Sequence, residues 1–98
     1  MRFGLMEDFR NPLQWRRDIL AQIKMSEDLG YDHVWLTEHH FTEDGYNPSI
    51  LTTAAAIAAQ TTRLRIATFI LLLPYNHPVR VAEDVASVDI ISNGRFDF

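Results

Sequence analysis

The sequence predicts an α/β fold in which short buried strands alternate with amphipathic helices and pair in parallel. Apolar runs of strand length recur along the 98 residues, each is followed by a polar loop, and each loop leads into a stretch with helical spacing. Such alternation gives a parallel sheet with right-handed crossovers. An open doubly wound sheet and an eight-stranded barrel both use these units, and the short length by itself slightly favours the open sheet.

The first predicted unit is a strand over residues 2–6 and a helix from Asn11-Pro12 to about Leu29. Asn suits the capping position and Pro the first helical position. Gly30 stands where a helix end favours a left-handed residue. The apolar face of this helix carries Trp15, Ile19, Leu20 and Ile23. The turn after the strand, Met6 to Phe9, contains no glycine, so a dinucleotide-binding open sheet is poorly supported.

The second predicted unit begins with a strand over Asp32–Thr37. Its consecutive apolar residues indicate a strand that is buried on both faces. A polar loop follows, and Asn47-Pro48 repeats the helix-opening signal. The helix over Ile50–Gln60 is rich in alanine, which allows a neighbouring element to approach closely.

The third predicted unit has a strand over Leu64–Leu71 and a loop to His77. Pro78 opens a helix that runs to about Ser92 and is closed by Gly94. A fourth strand begins at Arg95–Phe98.

Composition limits the classes of function. The net charge is −4 and the nine basic residues are scattered, which argues against a nucleic-acid surface. Cysteine is absent, which excludes disulfides and thiolate metal sites. The longest apolar run, Phe69–Pro74, is far shorter than the roughly 20 residues of a membrane helix. We therefore expect a soluble, cytoplasmic protein in which residues 1–98 form one small domain without an internal boundary.

The segment Glu38-His39-His40-Phe41 directly follows the second predicted strand, and the carboxyl ends of parallel strands form the ligand face. Imidazole titrates near pH ~6.5, so it exchanges protons under working conditions, and a nearby carboxylate fixes its tautomer. Adjacent histidines seldom point the same way, so one is expected to face the ligand and the other to pack sideways. The alternative, that both histidines only tie down loops, is equally compatible with the spacing.

Metal binding is less well supported. Glu-His-His lacks the helical spacing of His-Glu-x-x-His, and no third ligand is evident, so we predict no metal site. His33, at a strand start, and His77, before Pro78 at a helix start, are predicted to be structural.

At these residues the chain resembles the bacterial luciferase-like, flavin-dependent monooxygenases. The resemblance covers essentially all 98 residues, and the order and spacing of its motifs are specific although each motif alone is weak. The motifs are Arg2-Phe3-Gly4, Gly30 to Phe41, Leu72-Leu73-Pro74, His77-Pro78-Val79-Arg80, Ala82-Glu83-Asp84, Asp89 and Ser92 to Phe96.

The resemblance implies the N-terminal portion of a (β/α)8 TIM barrel, with about three βα units and the start of strand four. It further implies an enzyme that reacts reduced FMN with O2 and oxygenates a small organic substrate through a C4a-hydroperoxyflavin. The family's catalytic histidine falls on His39, with His40 and Glu38 supporting it by hydrogen bonding. The partner subunit of luciferase that lacks catalysis has lost this histidine, and the present sequence keeps it.

The resemblance also implies a cofactor site at the end of the third predicted strand. There the flavin ring leans on a non-proline cis peptide that matches Phe69-Ile70, after Thr68. The family has small residues at this pair and this chain has two bulky ones; an ordinary buried strand is the alternative. Met6 is the candidate wall of the substrate pocket, with plain core packing as its alternative.

Two further expectations follow from the resemblance. The family's flavin-phosphate residues lie mostly after the fourth strand, so we expect the 98-residue chain alone to be inactive. Homo-oligomers are expected to form through the helices over residues 50–60 and 78–92, the latter carrying Val81, Val85, Val88 and Ile91. The alternative is that these apolar faces only cover the barrel.

Two other functions stay open from the sequence. Some barrel relatives use the deazaflavin F420 for hydride transfer without oxygen. Alternatively, the chain is a non-enzymatic partial barrel that self-associates through exposed helices and open strand edges.

Overall fold

The computed structural model describes residues 12–42 and 47–98, and side chains from residue 18 onward within those ranges. The elements, in chain order, are α1 (Pro12–Asp28), β1 (His33–Leu36), α2 (Ile50–Ala58), β2 (Arg65–Thr68), α3 (Pro78–Ser92) and β3 (Phe96–Asp97), with a 3-10 turn at Leu73–Tyr75 before α3. The strand predicted over residues 2–6, Met6 at its end and the cap at Asn11 lie outside the described residues.

The three strands form one parallel sheet in the order β1-β2-β3. Val34 lies opposite Ile66, and Ile66 lies opposite Phe96, so the three side chains cross the sheet in one row. A helix joins each pair of strands, which confirms the predicted α/β class with parallel pairing.

The core lies between the sheet and the three helices. The helices contribute Ile19 and Ile23 from α1, Ile50, Ala54, Ile57 and Ala58 from α2, and Val88 from α3. Ala54 on α2 is fully buried, which matches the close approach predicted for the alanine-rich helix. Ile57 is also fully buried, and burial of such a side chain stabilises the fold by about 1.5–3 kcal/mol.

The two faces of β1 differ in burial. Val34 and Leu36 are buried against the helices, whereas His33 and Trp35 are half-buried. The described elements bury one face of β1, and burial of both faces stays a prediction.

The helix α2 begins at Ile50, as predicted, and ends at Ala58, two residues before the predicted end at Gln60. The role of Asn47 differs from the prediction. Asn47 adopts a φ of 29° and its side-chain amide donates to the Thr37 carbonyl at 2.8 Å. Its amide oxygen accepts a hydrogen bond from Thr53 Oγ1 at 2.7 Å. Asn47 thus closes the loop between β1 and α2 through its side chain, so it does not act as a helix cap.

The other helix ends follow the prediction more closely. Gly30 has a φ of 91°, as expected after α1. α3 spans Pro78–Ser92 as predicted, but Asn93 is the first left-handed residue after it, with a φ of 58°, and Gly94 follows with 77°. Asn tolerates this conformation better than most residues, so it shares the role that was predicted for glycine alone.

β2 is shorter than the predicted strand over Leu64–Leu71. The Phe69 N–H still donates to the Leu36 carbonyl at 2.6 Å, but β1 ends at Leu36 and offers no further partner. Phe69, Ile70 and Leu73 are exposed. The second half of the apolar run therefore leaves the strand, and its exposed residues are followed by Leu71, which packs against the core.

A buried carboxylate, Glu27, fixes the loop that enters β2 at the amino edge of the sheet. It accepts backbone N–H bonds from Thr62, Arg63 and Leu64 at 2.8–2.9 Å and a bond from Lys24 Nζ at 3.0 Å. Burial is the largest single influence on the pKa of Glu27 and raises it. The hydrogen bonds together outweigh burial and lower that pKa from 4.5 to about 2.

Arg95 fixes the same edge from the other side. Its guanidinium donates to the carbonyls of Ala58, Thr61, Leu64 and Ser92 at 2.6–3.0 Å. It also donates to Thr61 Oγ1 at 2.9 Å. One side chain therefore donates hydrogen bonds to backbone carbonyls at the carboxyl end of α2, at the strand entry at Leu64 and at the end of α3.

None of the described helices is both long and apolar enough to cross a membrane.

Candidate active site

The carboxyl edge of the sheet brings two loops together. β1 and β2 are parallel and Leu36 lies opposite Thr68, so the two strands end at the same level of the sheet. Residues 37–42 follow β1, and residues 69–77 follow β2. The sequence placed its candidate residues in these two segments, and the topology makes the segments neighbours.

Glu38 is buried between the two loops, with only 2% of its side chain exposed. Oε1 lies 2.5 Å from His40 Nε2, and Oε2 accepts the Leu72 N–H at 2.9 Å. Both oxygens of the carboxylate are therefore engaged, one within its own loop and one in the loop after β2.

The two histidines differ in exposure. His40 is half-buried, and its ring centroid lies 4.6 Å from that of Tyr75 at an interplanar angle of 60°. His39 is exposed at the carboxyl edge. His40 thus packs against the neighbouring loop, and His39 is the more exposed of the two imidazoles.

Phe69 and Ile70 form an exposed apolar surface beside these residues. Their side chains are 57% and 63% exposed, and the peptide bond between them is cis, as the resemblance implies. The ring of Phe69 packs edge-on against Trp35, with centroids 6.2 Å apart. Thr68, the last residue of β2, is half-buried. The alternative of an ordinary buried strand through this pair is wrong.

The remaining histidines lie away from this edge or cap a helix. His33, the first residue of β1, stacks on Trp35 at 6.4 Å, and its Nε2 lies 4.0 Å from Asp97 Oδ2. His77 is the N-cap of α3, where Nδ1 accepts the Val79 N–H at 3.3 Å. Both placements are structural, as predicted. No group of three potential metal ligands occurs in the described part of the chain.

Tyr75 and the Leu72 amide are site members that sequence reasoning did not identify. Leu72 acts through its backbone, which leaves no side-chain signal. Tyr75 stands in a loop of apolar residues where nothing in the sequence pairs it with His40, because their contact depends on the register of two strands.

The carboxyl edge fits the ring system of a flavin better than its phosphate. Phe69 and Ile70 offer exposed apolar side chains, which suit contact with the face of an aromatic ring system such as isoalloxazine. The described guanidinium groups are engaged elsewhere: Arg63 and Arg65 bond to Asp32 and Asp97, Arg95 bonds to carbonyls, and Arg80 pairs with Asp84 on α3. The described guanidinium groups therefore do not form a cationic phosphate clamp.

Comparison with known proteins agrees with this geometry. The sequence model of the family described as luciferase-like monooxygenase matches residues 1–98. The alkanal monooxygenase alpha chain of Photorhabdus laumondii is 45% identical over the whole chain, and that of Photobacterium phosphoreum is 35% identical. In each case the chain spans 29% of the relative's length.

Solved structures give the same result. Monooxygenase RslO1 from Streptomyces bottropensis superposes with a TM-score of 0.85 and 36% identity, over 91% of this chain and 27% of that one. The oxygenating constituent of 3,6-diketocamphane monooxygenase from Pseudomonas putida, a type II Baeyer-Villiger monooxygenase in complex with FMN, superposes with a TM-score of 0.85 and 25% identity, over 98% of this chain and 27% of that one.

These relatives are TIM barrels, so the three-stranded sheet corresponds to a portion of a (β/α)8 barrel, and the open-sheet alternative is wrong. The family match over residues 1–98, the relatives that align with the whole chain and the shared fold agree with one another. The chain belongs to the luciferase-like monooxygenase family.

Proposed function

We propose that the full-length protein is a flavin-dependent monooxygenase that uses reduced FMN and O2 to oxygenate a small organic carbonyl compound. One observation supports this above the others. An exposed apolar surface, Phe69-Ile70, lies at the same sheet edge as an accessible imidazole, His39. The 98-residue chain is inactive alone under this proposal, because the described residues offer a ring platform without a phosphate clamp.

FMN, when bound in its reduced form, supplies two electrons to O2, so that one oxygen atom enters the substrate and the other leaves as water. Phe69 and Ile70 bind one face of the ring and exclude water from it, and Thr68 sets the level at which the ring sits on β2. Met6, which lies outside the described residues, is the proposed wall of the substrate pocket.

His39 is the proposed catalytic residue. An imidazole nitrogen at this position accepts or donates a proton as the substrate carbonyl is oxygenated. Glu38 and His40 support the site from the buried side, through the hydrogen bond that joins them.

The substrate class is proposed from the names of the relatives. One group acts on alkanals, and another relative is named for a diketocamphane, so aldehydes and ketones are shared by both. The corresponding overall reaction of an aldehyde consumes reduced FMN, O2 and the aldehyde and yields FMN, the carboxylic acid and water.

The full-length protein is also proposed to form a homo-oligomer through α2 and α3. Val81 and Val88 are buried within the chain, so they cover the sheet, and Val79, Ile90 and Ile91 are the apolar side chains that α3 leaves exposed. Analytical ultracentrifugation of an Ile90→Glu variant tests this. The proposal predicts a shift to monomer, and an unchanged sedimentation coefficient contradicts it.

The experiment that tests the enzymatic proposal is oxygenation by the full-length protein under 18O2. Reduced FMN and a series of aldehydes and ketones are supplied, and products are read by mass spectrometry. The proposal predicts one 18O atom in the product and none without reduced FMN. A parallel titration with reduced F420 separates the hydride-transfer alternative, which predicts substrate reduction without 18O. Unlabelled product in every arm contradicts the proposal.

A further inference from the structure

The loop after β2 carries the proposed flavin platform but is held within itself mainly by short-range bonds. Leu73, Tyr75 and Asn76 donate their N–H groups to carbonyls two or three residues earlier, at 2.9–3.1 Å. Such bonds shape a turn without fixing where the turn stands on the sheet. The position of this loop therefore depends on contacts that it makes outside itself.

Two of those contacts lead to the loop after β1. The Leu72 N–H donates to Glu38 Oε2 at 2.9 Å, and the Tyr75 ring packs on His40. Glu38 Oε1 and His40 Nε2 are themselves joined at 2.5 Å. The connection runs from Leu72 through Glu38 and His40 to Tyr75, so it begins and ends in the same loop. We call these four residues the Glu38 bracket.

The burial of Glu38 makes the hydrogen bonds of the Glu38 bracket hard to replace with water. A carboxylate that is 2% exposed has little water to replace a lost protein partner. Hydrogen bonds to charged groups are also among the stronger ones in proteins. Loss of the Glu38 acceptor is therefore expected to release the Leu72 amide by about ten- to a hundredfold in its opening equilibrium.

The geometry points to Glu38 and His40 as positioning residues, which hold the loop after β2 in place so that Phe69 and Ile70 meet the flavin ring at a fixed height. Leu72 lies two residues beyond Ile70, so a shift of the loop at Leu72 moves the platform. This inference rests on the proposed function for the identity of the ligand, but the loop contact itself does not. It gives Glu38 an action on the flavin through the loop, beyond support of His39.

Hydrogen–deuterium exchange of the Leu72 amide in the full-length protein without flavin tests the bracket directly. Glu38→Ala is expected to speed this exchange by about ten- to a hundredfold. Glu38→Gln is expected to stay near wild type, because its amide oxygen accepts the Leu72 N–H and its amide nitrogen donates to His40. Glu83→Ala is the matched control, since Glu83 is an exposed carboxylate on α3.

Tyr75→Ala covers the case in which Glu38→Ala fails to fold. Tyr75 is 63% exposed, so its removal leaves the core intact. It removes the far end of the bracket, and faster exchange across residues 69–76 is expected. Unchanged exchange in both Tyr75→Ala and a folded Glu38→Ala overturns the inference.

FMN titration then links the bracket to the cofactor. Glu38→Ala is expected to raise the Kd for FMN by about tenfold or more, and Glu38→Gln is expected to restore both the Kd and kcat. A Glu38→Gln variant that binds FMN normally but loses kcat as fully as Glu38→Ala overturns the inference, because the charge would then serve the chemistry. If wild type binds no flavin, the proposed function fails, and the exchange experiment still decides whether the bracket exists.

Discussion

The two edges of the sheet differ in how their polar groups are used. At the amino edge, Glu27 and Arg95 bond almost entirely to backbone N–H and C=O groups, and each joins segments that are more than thirty residues apart. At the carboxyl edge, His39, Phe69 and Ile70 are exposed. The same sheet thus has one edge that closes the fold and one that is open to a ligand, the division that is general in barrels of this type.

The largest effect on stability is expected from Arg95→Ala. The change leaves the carbonyls of Ala58, Thr61 and Leu64 without their donor, and we expect the free energy of unfolding to fall by about 2–4 kcal/mol. Urea unfolding of the full-length protein measures this. Arg80→Ala, which removes an exposed guanidinium on α3, is the control and is expected to cost less than about 0.5 kcal/mol. Equal losses of unfolding free energy in the two variants would contradict this role of Arg95.

Glu27→Gln is expected to have the next largest effect, and it depends on pH. The native pKa of about 2 lies below the ordinary 4.5, so the charged form stabilises the fold fully above pH 4.5 and this stabilisation is lost as the pH falls from 4.5 towards 2. At neutral pH we expect a loss of about 1–3 kcal/mol on substitution. Unfolding curves between pH 7 and pH 2 measure this loss. The unfolding free energies of wild type and variant should converge at the acid end. A difference that stays constant with pH argues against a lowered pKa of Glu27.

Phe69→Ala is expected to weaken FMN binding and to leave stability nearly unchanged, the opposite of the substitutions at the amino edge. The side chain is 57% exposed, so we expect the free energy of unfolding to change by no more than about 0.5 kcal/mol. FMN binding by the full-length protein is expected to weaken by about three- to tenfold, because an aromatic contact with the ring is lost. Fluorescence titration gives the Kd. Leu29→Ala, an exposed apolar residue between α1 and β1 on the amino side of the sheet, serves as the control, and equal weakening of FMN binding in both variants would count against a platform at Phe69.

A small effect on stability is also expected for the Arg65–Asp97 pair on the far face of the sheet. Arg65 Nε donates to Asp97 Oδ2 at 2.8 Å, and Arg65 Nη2 donates to Oδ1. The hydrogen bond from Arg65 lowers the pKa of Asp97 against the opposing effect of burial. Both side chains are about two-fifths exposed, so we expect Asp97→Asn to cost no more than about 1 kcal/mol. A loss above 2 kcal/mol in urea unfolding would show that the edges are less different than we argue.

Much of the fold could be predicted because apolar spacing and helix-end residues are local signals. The helix α3, the left-handed Gly30 and the parallel order all follow from neighbours in sequence. The end of β2 could not be predicted in this way. It depends on where β1 stops, since Phe69 is the last residue with a strand carbonyl to donate to.

The candidate site was predictable in part. A strand-end position and the resemblance both select Glu38, His39 and His40, but neither shows that Glu38 reaches the Leu72 amide, a partner without a side-chain signal. Arg95 lay within the motif of the resemblance, yet its role stayed hidden because its partners are carbonyls. Glu27 did leave a trace: it continues the four-residue spacing of Ile19 and Ile23 onto the buried face of α1, where a carboxylate needs buried donors.

The measurement that tests the division between the edges most directly is the oxygenation rate of full-length His39→Ala at saturating FMN, O2 and substrate. We expect kcat to fall by about 10²–10⁴-fold, with the Kd for FMN and the free energy of unfolding near wild type, because an exposed imidazole contributes chemistry without holding the fold. Unchanged kcat would contradict the assignment of His39, and a large loss of stability in the same variant would contradict the separation of a closing edge from a ligand edge.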